Sequence, residues 1–244
     1  MFRNTVLVAM CLLSASVGLA QPDIPMEKIP TTIANDVRSD IIELYSRTPQ
    51  ERAYAAYHLG ALGGRAEAAL PYLRGLLKER DLLEWTPDST LKRLGASGGL
   101  IAISYDDILS TDRKFTSTGE EAAKAMARIG RRGIDMLIDA LRTRGNEAAV
   151  YDNAMVPFER TKDLRLPPIL IGFLNEKNGA ELTQAKAAWM LGMYKEEGAI
   201  EPLMNALTSH LLIVKETSAK ALGNITGKNF GEDVTKWRAW YKTR

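Results

Sequence analysis

Six leucines in one register constrain this chain more than any other feature. Leu137, Leu170 and Leu203 stand 33 residues apart, and Leu141, Leu174 and Leu207 repeat the same interval. Self-similarity at a period of roughly 20 to 50 residues marks a repeat protein, in which each unit buries its apolar face only against its neighbours. A second pattern recurs as Ala55-Ala56-x-x-Leu59-Gly60, Ala125-Met126-x-x-Ile129-Gly130, Ala187-Ala188-x-x-Leu191-Gly192 and Ser218-Ala219-x-x-Leu222-Gly223. Small residues four and five places before each glycine share a helical face with the Leu or Ile that precedes it, so helices can approach closely there. The glycine itself reads as a left-handed helix stop. Ala154, Met155 and Phe158 follow the same period more weakly, with Pro157 breaking or shortening their helix.

These registers predict five helix pairs, at about 36–64, 66–130 with an insertion, 131–160, 163–195 and 198–227. The expected fold is all-α, a short right-handed α-solenoid over 36–227. Residues 81–118 interrupt it with Pro87, Gly98-Gly99, the apolar run Leu100-Ile101-Ala102-Ile103 and a Ser/Thr/Asp-rich stretch, which reads as a loop with one short strand. Residues 228–244 are expected to form a capping helix. There Trp237, Trp240 and Tyr241 share a face, Asp233 is the N-cap, Phe230 anchors the entry, and removal of Trp240 is expected to be costly if that ring is buried.

The N-terminus reads as an address. Arg3 precedes an apolar stretch from Val6 to Leu13, and Gly18-Leu19-Ala20 before Gln21-Pro22 has the form of a signal-peptide cleavage site, so 1–20 is expected to be removed and the mature chain exported. A membrane span needs roughly 20 apolar residues; this run is shorter, and no stable membrane insertion is expected after cleavage. Acylation of Cys11 as a lipoprotein is disfavoured by the bulky Met10 before it. Residues 21–35, with Pro22, Pro25 and Pro30, read as an extended leader without a helix.

Composition removes much chemistry. With 32 Lys+Arg against 30 Asp+Glu the net charge is +2, so no nucleic-acid partner is expected. One cysteine and two histidines exclude thiolate zinc sites, disulfide scaffolds and most histidine-rich metal centres.

The segment Ile200-Glu201-Pro202-Leu203 with Ala206-Leu207, followed by Ala219-x-x-Leu222-Gly223, resembles a HEAT repeat, in particular the short HEAT-like repeats of bacterial phycobilin-lyase-type proteins. The close, from Ile225-Thr226-Gly227 through Phe230 to Trp237, Trp240 and Tyr241, resembles the tail of many secreted bacterial HEAT-repeat proteins. The resemblance covers most of 36–241 and implies a binding scaffold, or the accessory subunit of an enzyme such as a lyase; fold alone does not decide between them. Metal-dependent hydroxylases within the HEAT family hold iron with His-Glu pairs, whereas here Leu59 follows His58 and Leu211 follows His210.

Other motifs carry little. Gly223 to Lys228 lacks the spacing and the Ser/Thr of a phosphate loop, no Gly-x-Ser-x-Gly element presents a nucleophile, and Asp106, Asp107 and Asp112 lack the spacing of a calcium loop. Asn224-Ile225-Thr226 is a glycosylation sequon, meaningful only in a eukaryotic source. No catalytic, cofactor-binding or metal-ligating residue is assigned, and no enzyme activity is expected.

What remains is a surface. Positions one, four, five and eight before each glycine should face the core, and those two, three and six before it should point elsewhere. The latter comprise Tyr54, Tyr57, His58, Lys124, Arg128, Lys186 and Trp189, with Lys220 beyond. Second helices line the concave side of such stacks, and aromatic residues with Arg are what recognition surfaces favour. Two readings stand side by side: a groove for a protein or peptide partner, or packing of the rings between repeats with the lysines as a solvated rim.

Overall fold

The computed structural model describes residues 21–85, 91–93, 114–143, 145–177 and 179–244. Residues 1–20, expected to be a signal peptide, the run Leu100-Ile101-Ala102-Ile103 and Asp106, Asp107 and Asp112 lie outside them. Helices pair as the leucine register predicts: α1 (Asn35–Glu43) with α2 (Pro49–Ala61), α3 (Leu70–Gly75) with α4 (Thr118–Ile129), α5 (Arg131–Arg142) with α6 (Ala148–Met155), α7 (Leu166–Leu174) with α8 (Glu181–Met193), and α9 (Ile200–Ala206) with α10 (Leu212–Thr226). A last helix, α11, spans Val234–Lys242. The fold class is all-α, a HEAT-like helical repeat. The chain divides into two compact units, one ending at Pro157 and the other beginning at Phe158.

In the first unit α2 lies against α4, although the insertion separates them in sequence. Ile41, Leu59, Leu70, Leu73, Met126, Leu137 and Ile138 form the core and are withdrawn from water. Truncating any one of these large side chains to Ala should cost about 2–5 kcal/mol. Ser117 caps α4, its hydroxyl accepting from the Glu120 N–H at 3.0 Å. Helix α6 stops at Met155, and Val156–Phe158 tightens into a 3-10 turn where Pro157 lacks an N–H.

The glycines of the repeat pattern play a different part from the one their spacing suggests. Gly130 does end α4, at φ +131°. Gly60, Gly192 and Gly223, however, lie inside their helices. The left-handed stops come three or four residues later, at Gly63 (φ 58°), Lys195 (φ 50°) and Gly227 (φ 70°). Gly60 is small for a neighbour instead: a Cβ there would stand 2.9 Å from the Cα of Ala125 on α4. In the second unit a Cβ on Gly192 would stand 2.7 Å from the Cα of Ala221 on α10. Helix periodicity places a small residue on a face but does not say whether it ends the helix or admits another backbone.

The leader is seated rather than simply extended. Met26–Lys28 forms a 3-10 turn, Pro22 and Ile29 are buried, the Tyr45 hydroxyl donates to the Ile24 carbonyl, and Lys78 pairs with Asp23 at 2.8 Å. The insertion departs from the expected loop with one strand. It holds three short strands, β1 (Leu83–Trp85), β2 (Leu91–Arg93) and β3 (Phe115–Thr116), in the order β2-β1-β3, all antiparallel. Leu83 pairs with Thr116, so the insertion leaves and re-enters the helical array side by side. Strands of two or three residues are too short to show the alternation by which a strand is recognised in sequence.

In the second unit Leu170, Leu191, Leu203 and Leu222 are fully buried, and α11 packs against α9. Asp233 caps α11 as expected, accepting from the Lys236 N–H at 3.0 Å, and Phe230 meets Trp237 edge-on at 4.8 Å. The buried ring is Trp237, whose Nε1–H donates to the Gly231 carbonyl at 2.8 Å. Trp240, expected to be costly only if buried, is half-buried and stands edge-on to Trp237 at 5.9 Å.

Candidate partner-binding face

Of the seven residues proposed for a partner, five lie in the first unit on α2 and α4, and two lie in the second on α8. Tyr57 and Arg128 come together. Tyr57 is 38% exposed, and the guanidinium of Arg128 lies 5.4 Å above its ring centre. Gly60 lies alongside, where a Cβ would be in van der Waals contact with Arg128 Cδ at 3.4 Å. Arg128 also sits in the last turn of α4, where a cation suits the helix dipole. His58 is exposed, with its ring 6.1 Å from Tyr57 and 6.4 Å from Tyr54. Below it on α1, burial holds the Asp40 carboxyl above its usual range; His58 opposes that shift, while Asp36 and Glu43 add to it.

Tyr54 is half-buried and packs against Ala53 and Leu83, joining α2 to β1. Lys124 is tied down rather than poised to steer a partner. Its ammonium meets Glu121 at 2.9 Å, Thr116 Oγ1 at 3.2 Å and Glu120 at 3.8 Å, linking α4 to β3. Lys186 corrects the expectation outright: it is buried and paired with Glu159, also buried, at 3.2 Å. A lysine enters a core only with such a carboxylate beside it. Trp189, one turn along the same helix, is half-buried. Packing therefore accounts for Tyr54, Lys124 and Lys186, and an open face accounts for Tyr57, His58 and Arg128.

A polar cluster escaped the sequence reading. Arg52 donates to Glu79 Oε2 from Nε at 3.0 Å and Nη2 at 2.6 Å, to Asp81 at 3.1 Å, and to the Ser46 carbonyl at 2.9 Å. Glu79 Oε1 is buried without a hydrogen bond. Burial pushes the Glu79 carboxyl up to about 7, with Arg52 opposing. Asn153 of α6 donates to the carbonyls of Leu77 and Glu79 at 2.8 and 2.9 Å, and Thr118 donates to the Pro49 carbonyl at 3.1 Å. Together these bonds clamp both roots of the insertion. The signal was available: Arg52 stands eight places before Gly60, a position assigned to the core, where a guanidinium demands a carboxylate.

A shallow cleft of about 270 Å³ in the same unit is lined by Asp23, Arg74, Lys78, Asn146 and Glu147 among others. Its two cations are already paired, Lys78 with Asp23 and Arg74 with Asp139 at 2.9 Å. Among the described residues no group of three or more His, Cys, Asp or Glu side chains is placed to hold a metal ion, and no helix is long and apolar enough to cross a membrane.

Paired helices packed through small residues define an all-α repeat fold of HEAT-like architecture. The family model described as PBS lyase HEAT-like repeat matches residues 51–79, from α2 through α3 to the 3-10 turn Leu76–Lys78. The ion pair of Arg52 with Glu79 joins the start of that segment to its end. No curated protein matches the chain.

Proposed function

We propose that this chain is an exported, non-catalytic scaffold that binds a protein or peptide partner on the face formed by α2 and α4. The observation that carries this reading is Tyr57, an exposed aromatic side chain held beneath Arg128 within and beside the matched HEAT-like segment. Repeats of this kind commonly mediate protein interactions, and aromatic–Arg pairs are the side chains on which such interfaces depend. Export rests on the order of Arg3, the apolar run and Gly18-Leu19-Ala20. N-terminal sequencing of the protein from its host should begin at Gln21; an intact Met1 on a cytoplasmic species would contradict export.

The test of function is capture from envelope extract, comparing the native chain with a Tyr57→Ala/Arg128→Ala variant by mass spectrometry. A partner enriched by the first and lost from the second supports the scaffold. Equal recovery by both would move the binding face elsewhere. The second reading, an accessory subunit of an enzyme, draws on the lyase named in the matching family's description; co-purification with an enzyme whose activity depends on this chain would favour it.

A further inference from the structure

We infer that the shelf of Tyr57 and Arg128 takes a polypeptide segment presenting a carboxylate beside a flat apolar side chain, aromatic or proline. This rests on the scaffold reading and adds the chemistry of the occupant. Arg65, Arg74, Arg80 and Arg132, in the same unit, each pair with a carboxylate of the chain itself. Among the described residues Arg128 has no such partner, and its contact is with the Tyr57 ring. The guanidinium is exposed as well as close to the ring, so its N–H groups are open to grip a carboxylate with two parallel bonds. Beside it Tyr54, His58 and Tyr57 form a row of three rings, with His58 6.4 Å from Tyr54 and 6.1 Å from Tyr57, and the exposed part of Tyr57 adds apolar surface against which a ring or proline packs.

The charges around the shelf select among anions. Glu120 and Glu121 stand on α4 about two turns before Arg128, with Lys124 already committed to them, and Asp40 lies near His58. A polyphosphate backbone needs several uncommitted cations in a row. One carboxylate on a peptide needs only Arg128, so a polypeptide is the occupant this face fits.

Selection of a random dodecapeptide library against the full chain tests the inference. Enriched sequences should place Asp or Glu next to Phe, Tyr, Trp or Pro. A synthetic copy of the best one, measured by fluorescence anisotropy, should bind roughly tenfold more weakly to Arg128→Ala and to Tyr57→Ala, with Arg128→Lys between them and the parent. A dodecamer of thymidine should bind more weakly than the peptide. Both side chains are exposed, so thermal melts should show all variants folded; Arg128→Gln replaces any that is not. No enrichment, winners without acidic residues, tighter binding of the oligonucleotide, or binding untouched by both alanine variants would each overturn it. A native partner captured independently of Tyr57 and Arg128 would remove this inference while leaving the scaffold standing.

Discussion

Arg52 and Glu79 are joined through one carboxylate oxygen, which accepts from Nε at 3.0 Å and from Nη2 at 2.6 Å with both side chains withdrawn from solvent. Removing the guanidinium strands a buried carboxylate, whereas neutralising Glu79 leaves Arg52 with Asp81 and the Ser46 carbonyl. Arg52→Ala should therefore cost about 3–5 kcal/mol near neutral pH, and Glu79→Gln much less. Chemical denaturation of both variants reads the difference.

The same pair makes stability depend on pH. The Glu79 carboxyl titrates at about 7 when folded, against an ordinary value of 4.5. Between those values the folded chain keeps a proton that the unfolded chain has released, so this group lowers stability as pH rises from about 5 to about 7. Melting temperature followed across that window should carry a downward contribution that Glu79→Gln removes. Arg52→Ala should extend the fall to higher pH, because Arg52 opposes the upward shift.

Gly60 and Gly192 share one role in the two units. Gly60→Ala and Gly192→Ala drive a methyl into the backbone of Ala125 and Ala221, and each should cost about 1–3 kcal/mol. Gly172 of α7 is exposed with nothing within 4 Å of its missing Cβ, so Gly172→Ala should be neutral or stabilising by about 0.5–1 kcal/mol. Parallel thermal melts settle the contrast; a destabilised Gly172→Ala with an unaffected Gly60→Ala would reverse it.

How far the fold could be read depended on which physics each residue carried. The 33-residue register of Leu137, Leu170 and Leu203 reports burial, and burial is periodic, so the helix pairs were legible. Asp233 was legible as a cap because its bond to Lys236 is local. Lys186 was misplaced because its partner Glu159 lies far along the chain, and helix periodicity knows nothing of a distant carboxylate. Trp237 and Trp240 could not be told apart in the sequence for a related reason: three residues apart, they share a helical stripe, and only the Gly231 carbonyl and the Phe230 ring decide which goes in. At the candidate face, the spacing marks Tyr57 and Arg128 as outward positions, but their contact depends on the approach of α2 to α4 across the insertion.

Those two tryptophans make a further pair of outcomes. Trp237→Ala should cost about 3–5 kcal/mol as a fully buried ring is lost. Trp240→Ala, half-buried and lying under Arg244 at 5.9 Å, should cost about 1 kcal/mol. Equal losses in urea denaturation would refute the assignment of Trp237 as the ring that docks α11.

Lys186 separates stability from binding. Lys186→Ala leaves Glu159 buried without its ammonium and should destabilise the second unit by about 3–5 kcal/mol. The α2–α4 face should keep its ligand all the same, which peptide anisotropy on the still-folded fraction measures.

The central claim is that the α2–α4 face meets another polypeptide, and a photo-crosslinking residue at exposed Ala61, one turn beyond Tyr57 on α2 of the full chain, expressed in its host, tests it most directly. The account predicts a discrete adduct at position 61 that disappears when Arg128→Ala is combined with it, and none from the same residue at exposed Arg142 on α5. Adducts equal at both positions, or an adduct at position 61 indifferent to Arg128, would contradict it.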